Sequence, residues 1–285
     1  EMALLPKTTR GNEVNARLTF RFGDQKSLAN QAIASDFAAS MLDKGTTTRS
    51  RQQIKDELDK LKAQMSVSGG LNQVNVSIKT TKENLPAVLR IVGDVLKNPA
   101  FDANEFEKLH QERLADIESQ RSEPQAIAFN IFQRTMNPYP KEDIRYNMTF
   151  DEEAAALKAA KIDDAKKFYK DFYGGQNATF AAVGDFDETQ IRKIVSDEFG
   201  LWKANKPFSR LVSEYKSISP GSQSLQTPDK ANAMLVAGIN LPLRDDDPDY
   251  PALMLGNYML GGGFLNSRLA VRIRHAEYWD VEESK

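Results

Sequence analysis

No cysteine occurs in the 285-residue chain, which excludes disulfides and thiolate zinc sites outright. Histidine is nearly as scarce: His110 and His275 are the only two, so a metal site resting on several imidazoles of this chain is excluded in practice. Ser-His-Asp catalysis also lacks its parts, because no Gly-x-Ser-x-Gly elbow exists for either histidine to serve. The 38 basic and 40 acidic side chains nearly cancel, to a formal charge of −2, and leave no basic footprint for a nucleic-acid backbone. No apolar run approaches the roughly 18 residues that a bilayer crossing needs, and Glu1 to Lys7 lack the basic-then-apolar pattern of a signal peptide.

What remains is 40% hydrophobic and 27% charged residues, the balance of an ordinary globular protein. Val14 to Phe22 alternate with period two and predict a half-buried strand ended by Gly23-Asp24. Leu28 to Leu42 turn alanine-rich and helical, with Ile33, Phe37 and Met41 on one face and Gly45 suited to the cap beyond. A second helix is predicted from Ser50 to Met65 through Ile54, Leu58, Leu61 and Met65, followed by a strand through Val74, Val76 and Ile78. Helices follow at Asn84 to Lys97 and Ala103 to Arg121, the latter started by Asp102 and bounded by Pro124. Thr149-x-x-Glu152 is a capping box ahead of Ala154 to Leu157. A helix at Asp163 to Phe172, a strand at Asn177 to Phe186 and a helix at Glu188 to Phe199 complete this unit. The order predicts an α+β domain, with helices on one face of a mainly antiparallel sheet.

Residues 206–228, with Pro207, Pro220, Gly221 and Pro228, read as a linker between a domain at 1–205 and the start of a similar one at 229–285. Ala233 to Leu241 is strand-like, and Tyr250 to Leu260 is helical. Met41-Leu42 ahead of Gly45, Ser50 and Arg51 matches Met259-Leu260 ahead of Gly261, Ser267 and Arg268, at a shift of about 218 residues, a weak internal repeat. The second copy stops short, which predicts that the chain is a fragment. Gly261 to Gly263 are followed by no Lys-Ser/Thr and no Rossmann spacing, so they read as a structural loop and not as a phosphate cradle. Asp245 to Asp247 lack the glycine and closing glutamate of a calcium loop and read as a solvated turn. His110 lies beside Lys108 and Arg113 and is expected to face solvent.

Three segments together resemble the pitrilysin/insulinase family of zinc metallopeptidases. They are Met41-Leu42-Asp43-Lys44-Gly45-Thr46 with Arg49-Ser50, Phe172-Tyr173 with Asn177-Ala178-Thr179 and Val183-Gly184-Asp185-Phe186, and Gly261-Gly262-Gly263-Phe264-Leu265-Asn266-Ser267-Arg268-Leu269. The resemblance implies the α+β domain of processing-peptidase (LuxS-like) type. The family's His-x-x-Glu-His puts two zinc ligands on one helical face with a glutamate as general base between them. Aligned back from Met41, those positions fall on Asp36, Ala39 and Ser40. For the family's downstream acid the resemblance implies Asp116 or another acid of the same helix; Asp116 reads as an ordinary surface acid, since one carboxylate does not hold zinc without imidazole or thiolate partners.

By the same resemblance the chain is the non-catalytic half of a two-half peptidase. It binds no zinc itself, closes the chamber, and presents extended peptide to a His-x-x-Glu-His half that carries the zinc, fused or separate. Peptide is expected to add to a sheet edge. The non-catalytic half contributes an arginine and a later tyrosine to substrate; Arg274 matches the arginine, but the tyrosine position holds Val281, with Tyr278 nearby and out of place. Either this pair is degenerate, or residues 275–285 are the altered end of a truncated chain; the second is favoured because the match holds up to Arg274 and then collapses. A scaffold subunit with the peptidase fold and no part in proteolysis is the alternative. Compartment follows from resemblance alone, which implies the bacterial periplasm.

Overall fold

The computed structural model describes residues 1–231, 233–263 and 267–273. Five strands form one sheet: β1 (Met2–Pro6), β2 (Glu13–Arg21), β3 (Gln64–Gly70), β4 (Gln73–Thr81) and β5 (Ala178–Gly184), in the order β1-β5-β2-β4-β3. All neighbours run antiparallel except β1 on β5. Alternation in β2 sends Val14, Ala16, Leu18 and Phe20 into the core, and β4 matches it with Val74, Val76 and Ile78. The opposite face is polar: Thr19 Oγ1 donates to Asn75 Oδ1 at 2.8 Å, and Arg17 Nε donates to the same oxygen at 3.3 Å.

Helices cover the apolar face. They are α1 (Ala32–Met41), α2 (Arg51–Lys60), α3 (Leu85–Lys97), α4 (Ala103–Gln120), α5 (Pro124–Met136), α6 (Phe150–Ala159), α7 (Ile162–Phe172) and α8 (Glu188–Phe199). Leu85, Val88, Leu89, Val92, Val95 and Leu96 make α3 the most buried of them. Phe22 stacks on Tyr173 with centroids 5.2 Å apart and meets Phe168 edge-on at 5.6 Å, so the end of α7 is pinned to the sheet. The α+β reading, with helices on one face of a mainly antiparallel sheet, therefore holds.

Two element predictions need correction, at Met65 and at Ala233 to Leu241, and two further elements, α5 and β1, add to those predicted. The helix predicted through Met65 ends at Lys60, because Lys62 takes a left-handed φ of +48°. Met65 then belongs to β3, which pairs with β4 along its whole length. Pro124 starts α5 as well as bounding α4, a first-turn position where a missing N–H costs nothing. β1 was not anticipated. Ala233 to Leu241 contains no strand among the described residues; an extended segment becomes a strand only against a pairing neighbour.

The chain divides into two compact units, 1–214 with 218–238 and 215–217 with 239–285. The second contains α9 (Tyr250–Asn257), continuing into a π-turn at Tyr258–Gly262. Gly261 and Gly262 lie in that turn, and the Gly263 N–H donates to the Tyr258 carbonyl at 3.0 Å.

Candidate functional site

Asp36, Ala39 and Ser40 lie on α1 at the helical spacing that brings residues i, i+3 and i+4 to one face. Ala39 is buried against β3: a Cβ added to Gly69 would stand 2.2 Å from the Ala39 Cβ, so glycine at 69 is what lets helix and strand approach. Asp36 and Ser40 flank that contact and meet α4. Asp102 caps α4, its carboxylate accepting from the N–H groups of Asn104 and Glu105 at 2.8 and 3.0 Å.

From α4, Arg113 reaches across to α1. Its guanidinium forms an ion pair with the Asp36 carboxylate, and Nη2 donates to Ser40 Oγ at 2.7 Å. Its carbon also lies 4.9 Å from the Phe37 ring centroid, within cation–π range. The arginine side chain is 24% exposed. Burial pushes its pKa below the ordinary value, while the negative charges of Glu153 and Asp116 act in the opposite sense. Glu153, on α6, is half-buried, and burial raises its carboxyl pKa against the lowering effect of Arg113. Asp116 is exposed on α4, one turn beyond Arg113.

His110 does not face solvent as expected. Its Nε2 donates to the Leu157 carbonyl of α6 at 2.7 Å, and its ring stacks on Phe106 with centroids 5.9 Å apart. Intrahelical position alone could not show this, because α6 lies far away in sequence. Arg113 likewise carries no sequence signal beyond its place near His110. The readable signal was an acid, Asp36, at a ligand position, which calls for a cation.

The donor set does not suit zinc. It offers one carboxylate, one hydroxyl and a methyl, with a guanidinium already bonded to the first two; it does not fit an ion that takes imidazole or thiolate ligands here. Among the described residues, no three His, Cys, Asp or Glu are grouped to hold a metal ion. Arg274 lies outside the described residues, as do Val281 and Tyr278.

A second feature lies apart from this site, on the polar face of the sheet. β3 is one of the sheet's two edge strands, and its Gln64, Met65 and Ser66 wall a concavity of about 570 Å³ that extends to Arg17, Lys79 and Val183.

Residues 2–147 match the family described as Insulinase (Peptidase family M16), and residues 159–282 match the Peptidase M16 inactive domain. The chain belongs to peptidase family M16. It is 24% identical over 277 residues to an uncharacterized zinc protease of Rickettsia bellii, covering 92% of this chain and 62% of that protein. To the non-peptidase homolog YmxG of Helicobacter pylori it is 22% identical over 264 residues, covering 91% and 59%. Among solved structures, a peptidase M16 inactive domain from Pseudomonas fluorescens superposes with a TM-score of 0.71 at 19% identity, over 96% of this chain and 64% of that one. The chain thus spans about three-fifths of the length of these M16 relatives. Among the described residues, no helix is long and apolar enough to cross a membrane.

Proposed function

We propose that this chain is part of the non-catalytic half of an M16 peptidase: it closes the chamber and holds peptide for hydrolysis by a separate half that carries the His-x-x-Glu-His motif and the zinc. The observation that carries this reading is at α1. The three motif positions hold Asp36, Ala39 and Ser40, and Arg113 engages the first and last of them. No residue there can polarise a water as a metal and general base would.

The edge position of β3 supports the peptide role, since an extended peptide can add to it by main-chain hydrogen bonds. The concavity beside it is of a size that suits side chains of such a peptide. Arg274 is the proposed substrate contact, through charge-assisted bonds to a peptide carbonyl, with Gly261 to Gly263 shaping the loop before it. A scaffold role is the second reading, favoured by the same arginine-filled site and by similarity to a protein called a non-peptidase homolog.

The test mixes the full protein with an M16 half that carries the zinc motif and follows cleavage of an unstructured peptide. Turnover that needs both halves, slower amide exchange at residues 64–70 with peptide present, and a loss of turnover with Arg274→Ala are expected. Turnover indifferent to this protein, with unchanged exchange in β3, would leave the scaffold reading.

A further inference from the structure

We propose that Arg113 is a built-in cation that closes the family's metal position, so that this site is blocked and not merely short of ligands. The inference starts from the misfit between the M16 motif positions and zinc, and does not depend on the peptide-binding reading.

Loss of imidazoles alone would only remove metal ligands. Here a guanidinium also occupies the position between α1 and α4. One side of the fork meets Asp36, and the other donates to Ser40 at 2.7 Å. Phe37, one residue on from Asp36, supplies an aromatic face 4.9 Å from the guanidinium carbon. Three α1 side chains in five positions therefore grip one α4 cation. The surrounding charge is what a cation needs: Asp36 in contact, with Glu153 and Asp116 favouring the charged guanidinium from α6 and α4. Arginine stays protonated throughout the accessible pH range, so deprotonation does not displace it from Asp36. A divalent ion would have to expel a covalently tethered cation from its carboxylate and then coordinate a carboxylate and a hydroxyl, hard donors that favour water-rich ions over zinc.

The consequence is specific. Restoring histidines to α1 is insufficient while Arg113 remains; removing Arg113 is the step that admits metal. Two variants separate these cases: Ser40→His, which sets an imidazole one turn from Asp36 and leaves Arg113 its carboxylate, and the same change with Arg113→Met, which keeps the stem and removes the charge. Ala39 is left alone because it packs on Gly69. Zinc bound per chain is counted by native mass spectrometry and its affinity measured by calorimetry, with circular dichroism melts confirming that each variant is folded. The Arg113→Met chain is expected to bind one zinc about tenfold or more tightly than the chain that retains the arginine. Equal affinity in the two, or zinc binding by neither, overturns the proposal.

Should the double variant not fold, the native site supplies the decision through a double-mutant cycle of Asp36→Asn and Arg113→Met, read as thermal midpoints. The proposal requires that the second substitution cost clearly less once the first is present. Additive losses would mean that the pair is not what joins α4 to α1, and the inference would fall.

Discussion

Tyr169 and Tyr173 sit one helical turn apart and are both largely buried, yet their hydroxyls meet different fates. Tyr169 Oη donates to the Leu96 carbonyl at 2.8 Å, in the last turn of α3, where carbonyls lack intrahelical partners. Tyr173 Oη has no hydrogen-bond partner among the described residues, and burial pushes its pKa well above the usual phenol value. An unpaired buried hydroxyl costs free energy, and a paired one contributes it. Tyr169→Phe is therefore expected to destabilise by about 1 kcal/mol, whereas Tyr173→Phe keeps the stacking on Phe22 and stabilises by up to ~1 kcal/mol. Opposite shifts of the urea midpoint, at unchanged slope, check the pair; a loss in both would show that Tyr173 Oη has found a partner. At this scale the sequence is least informative. The apolar rings were legible as core, but the partner of a hydroxyl or of His110 lies on another element, and no local pattern carries it.

Helix α6 shows a local pattern that does carry through. Thr149 Oγ1 accepts from the Glu152 N–H at 3.1 Å, and the Glu152 carboxylate accepts from the Thr149 N–H at 3.0 Å, the reciprocal bonds that Thr-x-x-Glu spacing predicts. Glu152 also takes hydrogen bonds from Lys141 and, at 2.8 Å, from Tyr146 Oη. With Lys141 first among the causes, its pKa is pushed down to about 2. A carboxyl whose folded pKa is depressed binds protons more readily when unfolded, so its contribution is present above the ordinary value near 4.5 and is lost as pH falls towards 2. Glu152→Gln keeps an acceptor for the cap and loses the charge; it is expected to cost about 1 kcal/mol or less at pH 7, with the gap to the native chain narrowing between pH 4.5 and 2. Thermal melts across that window test it, and a gap independent of pH would assign the loss to the cap. Where several patterns overlapped, the reading failed. Ile54, Leu58, Leu61 and Met65 keep helical spacing through the start of β3, and the left-handed turn at Lys62 together with the non-local pairing with β4 decides for strand. Asp36, Ala39 and Ser40 lie on α1 as helical spacing has them, but the cation that meets Asp36 and Ser40 comes from α4 and is visible only with both helices in place.

At the scale of the whole molecule the question is which parts of the chain stand on their own. Regular structure stops after α8, and from Lys203 to Asp249 the described residues form neither helix nor strand. The first stretch of that segment is nevertheless tied down. Lys206 N–H donates to the Asp171 carbonyl at 2.9 Å, Ser209 N–H to the Gly23 carbonyl at 2.9 Å, and Arg145 Nη1 to the Val212 carbonyl at 2.7 Å. Arg145 is itself anchored by the nearly fully buried Asp143, its Nη2 lying 2.6 Å from the carboxylate. Cleavage needs a segment that can leave its contacts and enter a protease, and residues past Val212 meet that condition best. Limited trypsin digestion is thus expected to cut first at Lys216 or Arg244 and to leave a fragment ending near residue 216. That fragment retains the sheet, α1 to α8 and the Arg113 site, because the buried core belongs to them. Its thermal midpoint should lie within about 3 °C of the intact chain, since the residues removed bury few large apolar side chains: Leu253, Met254, Leu255, Tyr258, Met259 and Leu260 are all exposed. Early cuts within 1–212, or a fragment that melts far lower, would show that residues beyond 216, which include 218–238 of the first unit and the Lys230–Glu123 ion pair, support the rest. Exposed apolar side chains so closely spaced on the second unit also favour self-association, and the same digestion should abolish any concentration-dependent dimer seen by sedimentation of the intact chain.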